Sequence, residues 1–413
     1  LRSAGAIFLI PSNLLKAFGL DTMESPMLRL ETAGESHGEC LVATLTGLPA
    51  GVPVRVEAID RELRRRQQGY GRGGRMKIET DCAQVVAGVR HSQTIGAPIA
   101  ILIRNSDWQN WTETLPVEGA DTKNKALLRP RPGHADLAGA LKYDLHDARY
   151  VLERASARET AARVAVGALA KIFLAEFGIR VLSHVIAVGV ARLGRAAAWD
   201  EIAALSEKEE VLLGCVDAAA EQRMKEVVDE VYRTGDTVGG VFEVVAHNVP
   251  PGLGSCASWD QRLDGRLAQA VASIQGVKGV EIGDAIEGAA SFGSRVQDTI
   301  HYDREGRRFT RGSNRAGGLE GGMTNGQDVV LRGLLKPIST LRRPLESVDF
   351  ATREPAAAAY ERSDVCVVPA AGVVGEAMTA FVLAQAFLEK FGGDSLRETR
   401  RNFDAYLEQV REF

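Results

Sequence analysis

This chain of 413 residues has little of what builds disulfide frameworks, thiolate metal sites or stacking platforms. Its five cysteines, Cys40, Cys82, Cys215, Cys256 and Cys366, stand dozens of residues apart with no C-x-x-C pair. That spacing excludes the usual thiolate zinc site, argues against a disulfide framework and points to a reducing, cytoplasmic setting. Aromatic residues are only 6% of the chain, and no aromatic run flanks its most basic segment to stack the bases of a single-stranded RNA. Neither sign of charge dominates: the formal net charge is −4, so no global basic field gathers a polyanion. No uninterrupted apolar run approaches the roughly 20 residues that cross a bilayer, and a soluble protein is expected. Lysine is scarce as well, 11 residues against 39 arginines. Arginine offers a planar fork matched to carboxylate and phosphate, whereas lysine is a hydrated point charge, so the imbalance suits a surface that handles oxyanions. Codon usage in a GC-rich genome would give the same global count, which leaves the placement of the arginines to decide.

What is present is ordinary globular material, 45% hydrophobic and 25% charged, with an excess of glycine at 43 residues. Residues 1–26 read as an N-terminal extension of uncertain role, too poorly charged at the start and interrupted by Pro11 for a secretory signal. Over residues 27–413 no repeat, low-complexity linker or clean domain boundary is readable. Short apolar stretches at 97–103, 183–190, 241–246, 329–335 and 365–368 predict strands. The clearest helix is predicted over 160–177, opened by the capping-box pattern Ser156-x-x-Glu159 and stopped by Gly178. It is apolar on more than one face and therefore central. Further helices are predicted over 221–233, 259–273 and 376–391. No strand, glycine-rich turn and helix of dinucleotide-binding spacing occurs near the start, which disfavours a doubly wound sheet and leaves a mixed α and β chain.

Four segments carry more polar and glycine residues than a core needs. The first is Gly34-Glu35-Ser36-His37-Gly38, with a histidine suited to proton transfer near neutrality. The second runs from Arg61 to Lys77, with seven cations against one acid, and reads as a flexible clamp for a small multiply charged anion or, alternatively, as an RNA-binding arginine and glycine segment. The third holds Arg131-Pro132-Gly133-His134-Ala135-Asp136 and then Arg154-Ala155-Ser156-Ala157-Arg158-Glu159, where a predicted helix N-terminus beside arginines favours an anion. His134 and Asp136 could also be read as metal ligands of a phosphohydrolase, but no established ligand spacing surrounds them. The fourth joins the glycine-rich residues 312–326 to Lys336-Pro337-Ile338-Ser339-Thr340 and to Glu361-Arg362-Ser363-Asp364, a backbone cradle for a flat polar cofactor or a phosphate.

Taken in order, these segments resemble the chorismate synthase family over about residues 27–396. The resemblance rests on Gly34-Glu35-Ser36-His37-Gly38, Arg65-Arg66-Gln67-x-Gly69-Tyr70-Gly71-Arg72-Gly73, Arg131-Pro132-Gly133-His134-Ala135-Asp136 and Glu153-Arg154-Ala155-Ser156-Ala157-Arg158-Glu159-Thr160. It continues through Ser273-Ile274-x-x-Val277-Lys278-Gly279-Val280-Glu281, Ser313-Asn314-x-Ala316-Gly317-Gly318 and Arg362-Ser363-Asp364.

The resemblance implies an α+β fold, a β-α-β sandwich with central helices flanked by antiparallel sheets, assembled as a homotetramer. It implies a carbon-oxygen lyase, the last step of the shikimate pathway, that performs an anti-1,4-elimination of phosphate from 5-enolpyruvylshikimate 3-phosphate with reduced FMN. NADPH or an external flavin reductase would supply the reduced flavin. His37, His134 and Asp364 would be catalytic, with His37 by the leaving phosphate, His134 by the pyrimidine end of the flavin and Asp364 by its N5. FMN would be held by Arg154, Ala155, Ser156, Gln275, Gly276, Gly321, Lys336, Pro337, Ile338, Ser339, Thr340 and Arg362. Gln275 and Gly276 stand where the family often has Asn and Ala. Arg66 and Arg72 match positions associated with NADP, and by their charge would equally hold substrate carboxylate or phosphate. No metal is implied.

Overall fold

The computed structural model describes residues 28–73, 80–119, 123, 125–361 and 363–413, so the N-terminal extension lies outside the described residues. Strands β1 (Arg29–Ala33), β2 (Cys40–Thr46), β3 (Gln84–Ala87) and β4 (Ile99–Arg104) form an antiparallel sheet in the order β1-β2-β4-β3. Alternation in β2 sends Leu41, Ala43 and Leu45 to one face, and the register sets them opposite Ile103, Ile101 and Ile99 of β4. All six are buried, so the period of two writes one wall of the core.

A second antiparallel sheet contains β5 (Arg180–Val188), β6 (Ala191–Arg192), β7 (Gly240–His247), β8 (Val277–Ile282) and β9 (Val329–Leu335), in the order β8-β9-β7-β5-β6. Here Val244 pairs with Leu331 and Ala246 with Val329, again buried. The helices of ten or more residues are α1 (Val56–Gln67), α2 (Thr160–Ala175), α3 (Ala218–Thr234), α4 (Leu263–Ala272), α5 (Val368–Phe391) and α6 (Leu396–Glu412). Helix α2 lies against the first sheet, α5 against the second, and the two pack on each other. The fold is therefore α+β, with a helical layer between two antiparallel sheets. Gly167 of α2 makes that layer thin, because a Cβ there would stand 2.3 Å from the Ala377 Cβ of α5.

Several expected elements move. The strand expected at 365–368 does not form: Val365 sits in a bend, and Pro369, with no N–H to lose, suits the first turn of a helix, so that α5 starts at Val368, eight residues before the expected start. Helix α5 also corrects the expectation that no apolar segment is long enough to cross a membrane: it passes by length and hydropathy, with 89% of that window buried in the protein. The helix expected over 259–273 divides into a short turn at Trp259–Gln261 and α4. Helix α3 is capped by Asp217, whose side chain accepts from the Ala220 N–H, and ends at Gly235 in the left-handed region, as expected. Helix α6 was not anticipated. Nor was α1, and its presence corrects the flexible clamp: Arg61, Arg64, Arg65 and Arg66 lie on a helix, with the last three in the terminal turn where cations suit the helix dipole. Arg75 and Lys77 lie outside the described residues.

Arg65 turns inward. Its two terminal nitrogens reach Glu376 Oε2 and Oε1 of α5 at 2.7 Å each, Lys171 Nζ of α2 donates to Oε2 at 2.5 Å, and the Ser183 N–H and Oγ of β5 donate to Oε1 at 2.8 and 2.7 Å. Burial alone would raise the Glu376 carboxyl, but the charges and hydrogen bonds of Arg65 and Lys171 outweigh it and hold the group down to about 2. A carboxylate so depressed contributes stability above its unfolded value near 4.5, lost as pH falls toward about 2. Glu376→Ala should therefore cost about 3–5 kcal/mol in urea unfolding at neutral pH, with the difference from the parent chain shrinking below pH 4. A midpoint unchanged at pH 7 would contradict this.

Candidate active site

The loop between β1 and β2 carries His37, and three polar side chains hold that loop. Asn105, just beyond β4, donates Nδ2 to the carbonyls of Glu35 and Gly38 at 3.1 and 2.7 Å. Arg154 donates to the carbonyls of Thr32 and Gly34 at 2.9 and 3.3 Å. Glu153, with a side chain 1% exposed, accepts from the His37 backbone N–H at 2.7 Å, and its Oε1 lies 2.9 Å from Nδ1 of the His37 ring. The other face of the ring stacks on Trp111, with centroids 4.0 Å apart.

From Asn105 a chain of charges leads inward. Its Oδ1 accepts from Arg158 Nε at 2.9 Å, and Arg158 Nη1 meets Asp81 Oδ1 at 2.5 Å. The second Asp81 oxygen takes Arg66 Nη2 at 2.7 Å, and Arg66 Nη1 donates to Thr160 Oγ1 at 3.3 Å. All three charged groups are buried. Burial pushes the Asp81 carboxyl up, and the two guanidiniums more than reverse it, so the group stays ionised well below the usual carboxylate range. Ser156 places Arg158 by accepting its backbone N–H at 3.3 Å at the head of a short turn, Ala157–Glu159, before α2. The capping box expected from Ser156 and Glu159 does not close. Glu159 instead accepts from Thr32 Oγ1, Arg163 and Gln275 Nε2, the last at 3.0 Å.

His134 has its own buried carboxylate. Nδ1 meets Asp136 Oδ1 at 2.5 Å, and Arg131 forks onto both Asp136 oxygens at 2.8 and 3.0 Å while its Nη1 donates to Thr340 Oγ1 at 2.9 Å. Burial opposes the Asp136 charge, but the hydrogen bonds of His134 and Arg131 hold it far below the usual range. Beside it Lys336 Nζ donates to Ser339 Oγ at 2.7 Å, and Ser339 Oγ donates to the Gly133 carbonyl at 2.8 Å. Burial, and then Lys278, push Lys336 down from its ordinary value. The Thr340 carbonyl accepts from Ser363 Oγ at 3.0 Å, which leads to Asp364. Asp364 accepts the Gly73 N–H at 2.5 Å and faces Arg72 at 3.4 Å. Gly73 cannot carry a side chain here, since a Cβ would lie 2.9 Å from the Ser363 carbonyl.

Between these groups lies a cleft of about 180 Å³ lined by Arg66, Arg72, Ser156, Arg158, Gln275 and Asp364, with an apolar floor from α5. The structure thus brings Arg66, Arg72, Ser156, Gln275 and Asp364 together. His134, Lys336, Ser339 and Thr340 join them through Ser363, and His37 through Asn105 and Arg158. Arg154 is half-exposed and Ala155 ends a short helix, Arg149–Ala155, on the His37 side. Gly276 accepts the Lys336 N–H at 2.9 Å, Pro337 follows it, and the Ile338 carbonyl accepts from Thr237. Gly321 lies at the turn of a hairpin, beside Gly322, which faces Arg262. Arg362 lies outside the described residues. Glu153, Asp81, Asn105 and Trp111 were missed as site residues. Glu153 sat inside a quoted motif, but Asp81 and Asn105 stand in stretches with no local pattern, and only the fold joins them to the arginines.

Among the described residues no group of three or more metal-ligating side chains converges. Arg131 sits on both His134 and Asp136, supplying a cation where the phosphohydrolase reading would need a metal ion.

Two histidines, each tied to a buried carboxylate, are linked through hydrogen bonds to a cleft walled by buried arginines, an arrangement suited to small anionic ligands. Residues 28–388 match the family model for chorismate synthase. The chorismate synthase of Solibacter usitatus is 77% identical over 94% of this chain and all of its own length, and that of Koribacter versatilis is 66% identical over the same shares. A solved structure of a chorismate synthase superposes with a TM-score of 0.76 at 43% identity, covering 94% of this chain and 99% of its own. The chain belongs to the chorismate synthase family.

Asp81→Ala would leave two buried guanidiniums facing each other without a counter-charge, and should destabilise the chain by about 3–5 kcal/mol in urea unfolding at pH 7. Because the Asp81 carboxyl is depressed, its contribution is present above the unfolded value of about 3.8 and fades as pH falls through the lower folded value. A parent-like midpoint at pH 7 would show that Arg66 and Arg158 do not depend on it.

Proposed function

We propose that this chain converts 5-enolpyruvylshikimate 3-phosphate to chorismate by anti-1,4-elimination, at the last step of the shikimate pathway, with reduced FMN bound in the arginine-walled cleft. The observation that carries this is the pairing of two carboxylate-held histidines with the Arg66, Asp81 and Arg158 bridge. The substrate carries one phosphate and two carboxylates, and the cofactor carries another phosphate. A wall of buried guanidiniums in a chain of net charge −4 suits such ligands better than it suits a polyanion.

The residues present fit a phosphorylated flavin. Arg66 Nε and Gln275 Oε1 are buried with no hydrogen-bond partner among the described residues, and both residues line the cleft. Such polar atoms are costly unless something meets them. Ser156, Gln275 and Gly276 would hold one side of the cofactor, and Lys336, Pro337, Ile338, Ser339 and Thr340 the other. Arg154, Ala155, Gly321 and Arg362 complete the set by family resemblance. Reduced FMN, when bound, supplies electron density transiently to the breaking carbon-oxygen bond.

The protein's part is binding, charge neutralisation and protons. The bond to phosphate and one ring C–H bond break, a ring double bond forms, and no net oxidation results. His37 delivers a proton to the departing phosphate, and Arg66, Arg72 and Arg158 offset the charge that develops there. His134, held by Asp136 and Arg131, would offer a polar ring to the flavin's pyrimidine end, and Asp364 on the cleft wall would offer a carboxylate near its N5. Arg66 and Arg72 line the cleft while paired with Asp81 and Asp364, placed to meet an anionic group of the substrate or of NADP. The reductant is NADPH acting on this chain or an external flavin reductase; bleaching of oxidised FMN by NADPH under nitrogen distinguishes them. The homotetramer and a cytoplasmic location belong to the same proposal.

Purified protein with chemically reduced FMN and substrate should release phosphate anaerobically, and none should appear with oxidised flavin alone. His134→Ala and Asp364→Ala should lose about 100-fold or more in turnover while binding FMN within a few-fold of the parent chain. Absence of phosphate release by the parent, or full turnover by either variant, would contradict the corresponding assignment.

A further inference from the structure

Glu153 is a buried carboxylate that no step above uses. It stands in the short helix Arg149–Ala155, its side chain is 1% exposed, and it spends both oxygens on one neighbour. Oε2 takes the His37 backbone N–H at 2.7 Å, and Oε1 and Oε2 lie 2.9 and 3.1 Å from the ring Nδ1. Its own carbonyl accepts the Ser36 N–H at 2.9 Å, so residues 36 and 37 are held in backbone and side chain together. Trp111 covers the face of the imidazole, and Lys125 Nζ lies 3.9 Å from the Trp111 ring. The Trp111 indole N–H donates to Asp107 at 3.0 Å, which fixes the stacking partner in turn. Arg149 approaches Glu153 at 3.8 Å and pairs with Glu361 at 2.7 Å, so the charges around the histidine include Glu153, Arg149, Glu361, Lys125, Asp107 and, at the base of its loop, Arg154.

An ionised carboxylate is an acceptor only. Against Nδ1 it can be satisfied only if that nitrogen bears the hydrogen, which in the neutral ring leaves Nε2 without one. We infer that Glu153 is a positioning residue that locks His37 in the Nδ1–H form, so that Nε2 alone exchanges a proton with the departing phosphate. The inference rests on the proposed role of His37 but adds a residue and a chemical state to it. The cycle balances: Nε2–H is given to phosphate oxygen as the carbon-oxygen bond breaks, the ring is left as the Nδ1–H neutral form, and solvent restores the Nε2 proton before the next turnover. Glu153 neither gains nor loses a proton.

Glutamine at this position keeps the volume but has one oxygen for two donors, so its amide must face either the His37 N–H or Nδ1 with a hydrogen. The test is nitrogen-15 NMR of the full chain labelled at its seven histidines, with the His37 signals assigned from a His37→Asn variant, read above the pH at which the ring is charged. The parent should show His37 protonated on Nδ1. Glu153→Gln should shift the hydrogen toward Nε2 and lower kcat about 100-fold or more, with KM, FMN affinity and the urea midpoint changing less than a few-fold. Protonation on Nε2 in the parent would overturn the inference even if the variant fails to fold. An inverted tautomer with unchanged kcat would also overturn it. Unchanged turnover in His37→Ala would instead remove His37 from the reaction, a failure of the underlying reading that the NMR result leaves visible.

Discussion

Two consecutive arginines at the end of α1 point to two different buried carboxylates, and much of the molecule hangs on that divergence. Arg65 goes to Glu376 in the helical layer, where Lys171 and Ser183 complete the coordination of the carboxylate. Arg66 goes to Asp81, which it shares with Arg158 at the rim of the cleft. Buried ion pairs are poor bargains in free energy unless both partners are fully met, but breaking one is expensive. The end of α1 is therefore pinned in rotation, and the cleft wall inherits the rigidity of the sandwich behind it.

The same device recurs around the cleft. Asp136 with Arg131 orients His134, Glu153 orients His37, and Asp364 takes a glycine amide. His37, His134, Arg66 and Arg158 are thus each fixed by a carboxylate more deeply buried than themselves. Asn105 and Ser363 are the two neutral links, the first between the His37 loop and Arg158, the second between Thr340 and Asp364. Such links transmit position without adding charge. They make one site from loops that come from both sheets and from both ends of the chain.

The sequence was most legible where periodicity or turn chemistry is local. The strand over 329–335 and the helix after Ser156 could be read from apolar spacing and from Gly178. The basic segment reads as a flexible loop because its charge density masks the sparse apolar face of α1, Ile59 and Leu63. The start of α5 was hidden by β-branched residues before Pro369, and its length by small residues that pack on both sides. Most of the site was named through motifs whose histidines and glycines stand out in a line of sequence. The carboxylates that hold those histidines and arginines are ordinary Asp and Glu residues, and only the fold shows which of them is buried against what.

The central claim is that both histidines and the arginine bridge serve one ligand pocket. A crystal structure of the chain with oxidised FMN and the phosphorylated substrate tests it most directly. The substrate phosphate is expected within hydrogen-bond reach of His37, with the flavin against Asp364 and His134 and anionic groups on Arg66 and Arg158. Ligands seated in the separate surface depression lined by Arg129, Asp349 and Glu354, with the arginine-walled cleft unchanged, would contradict it.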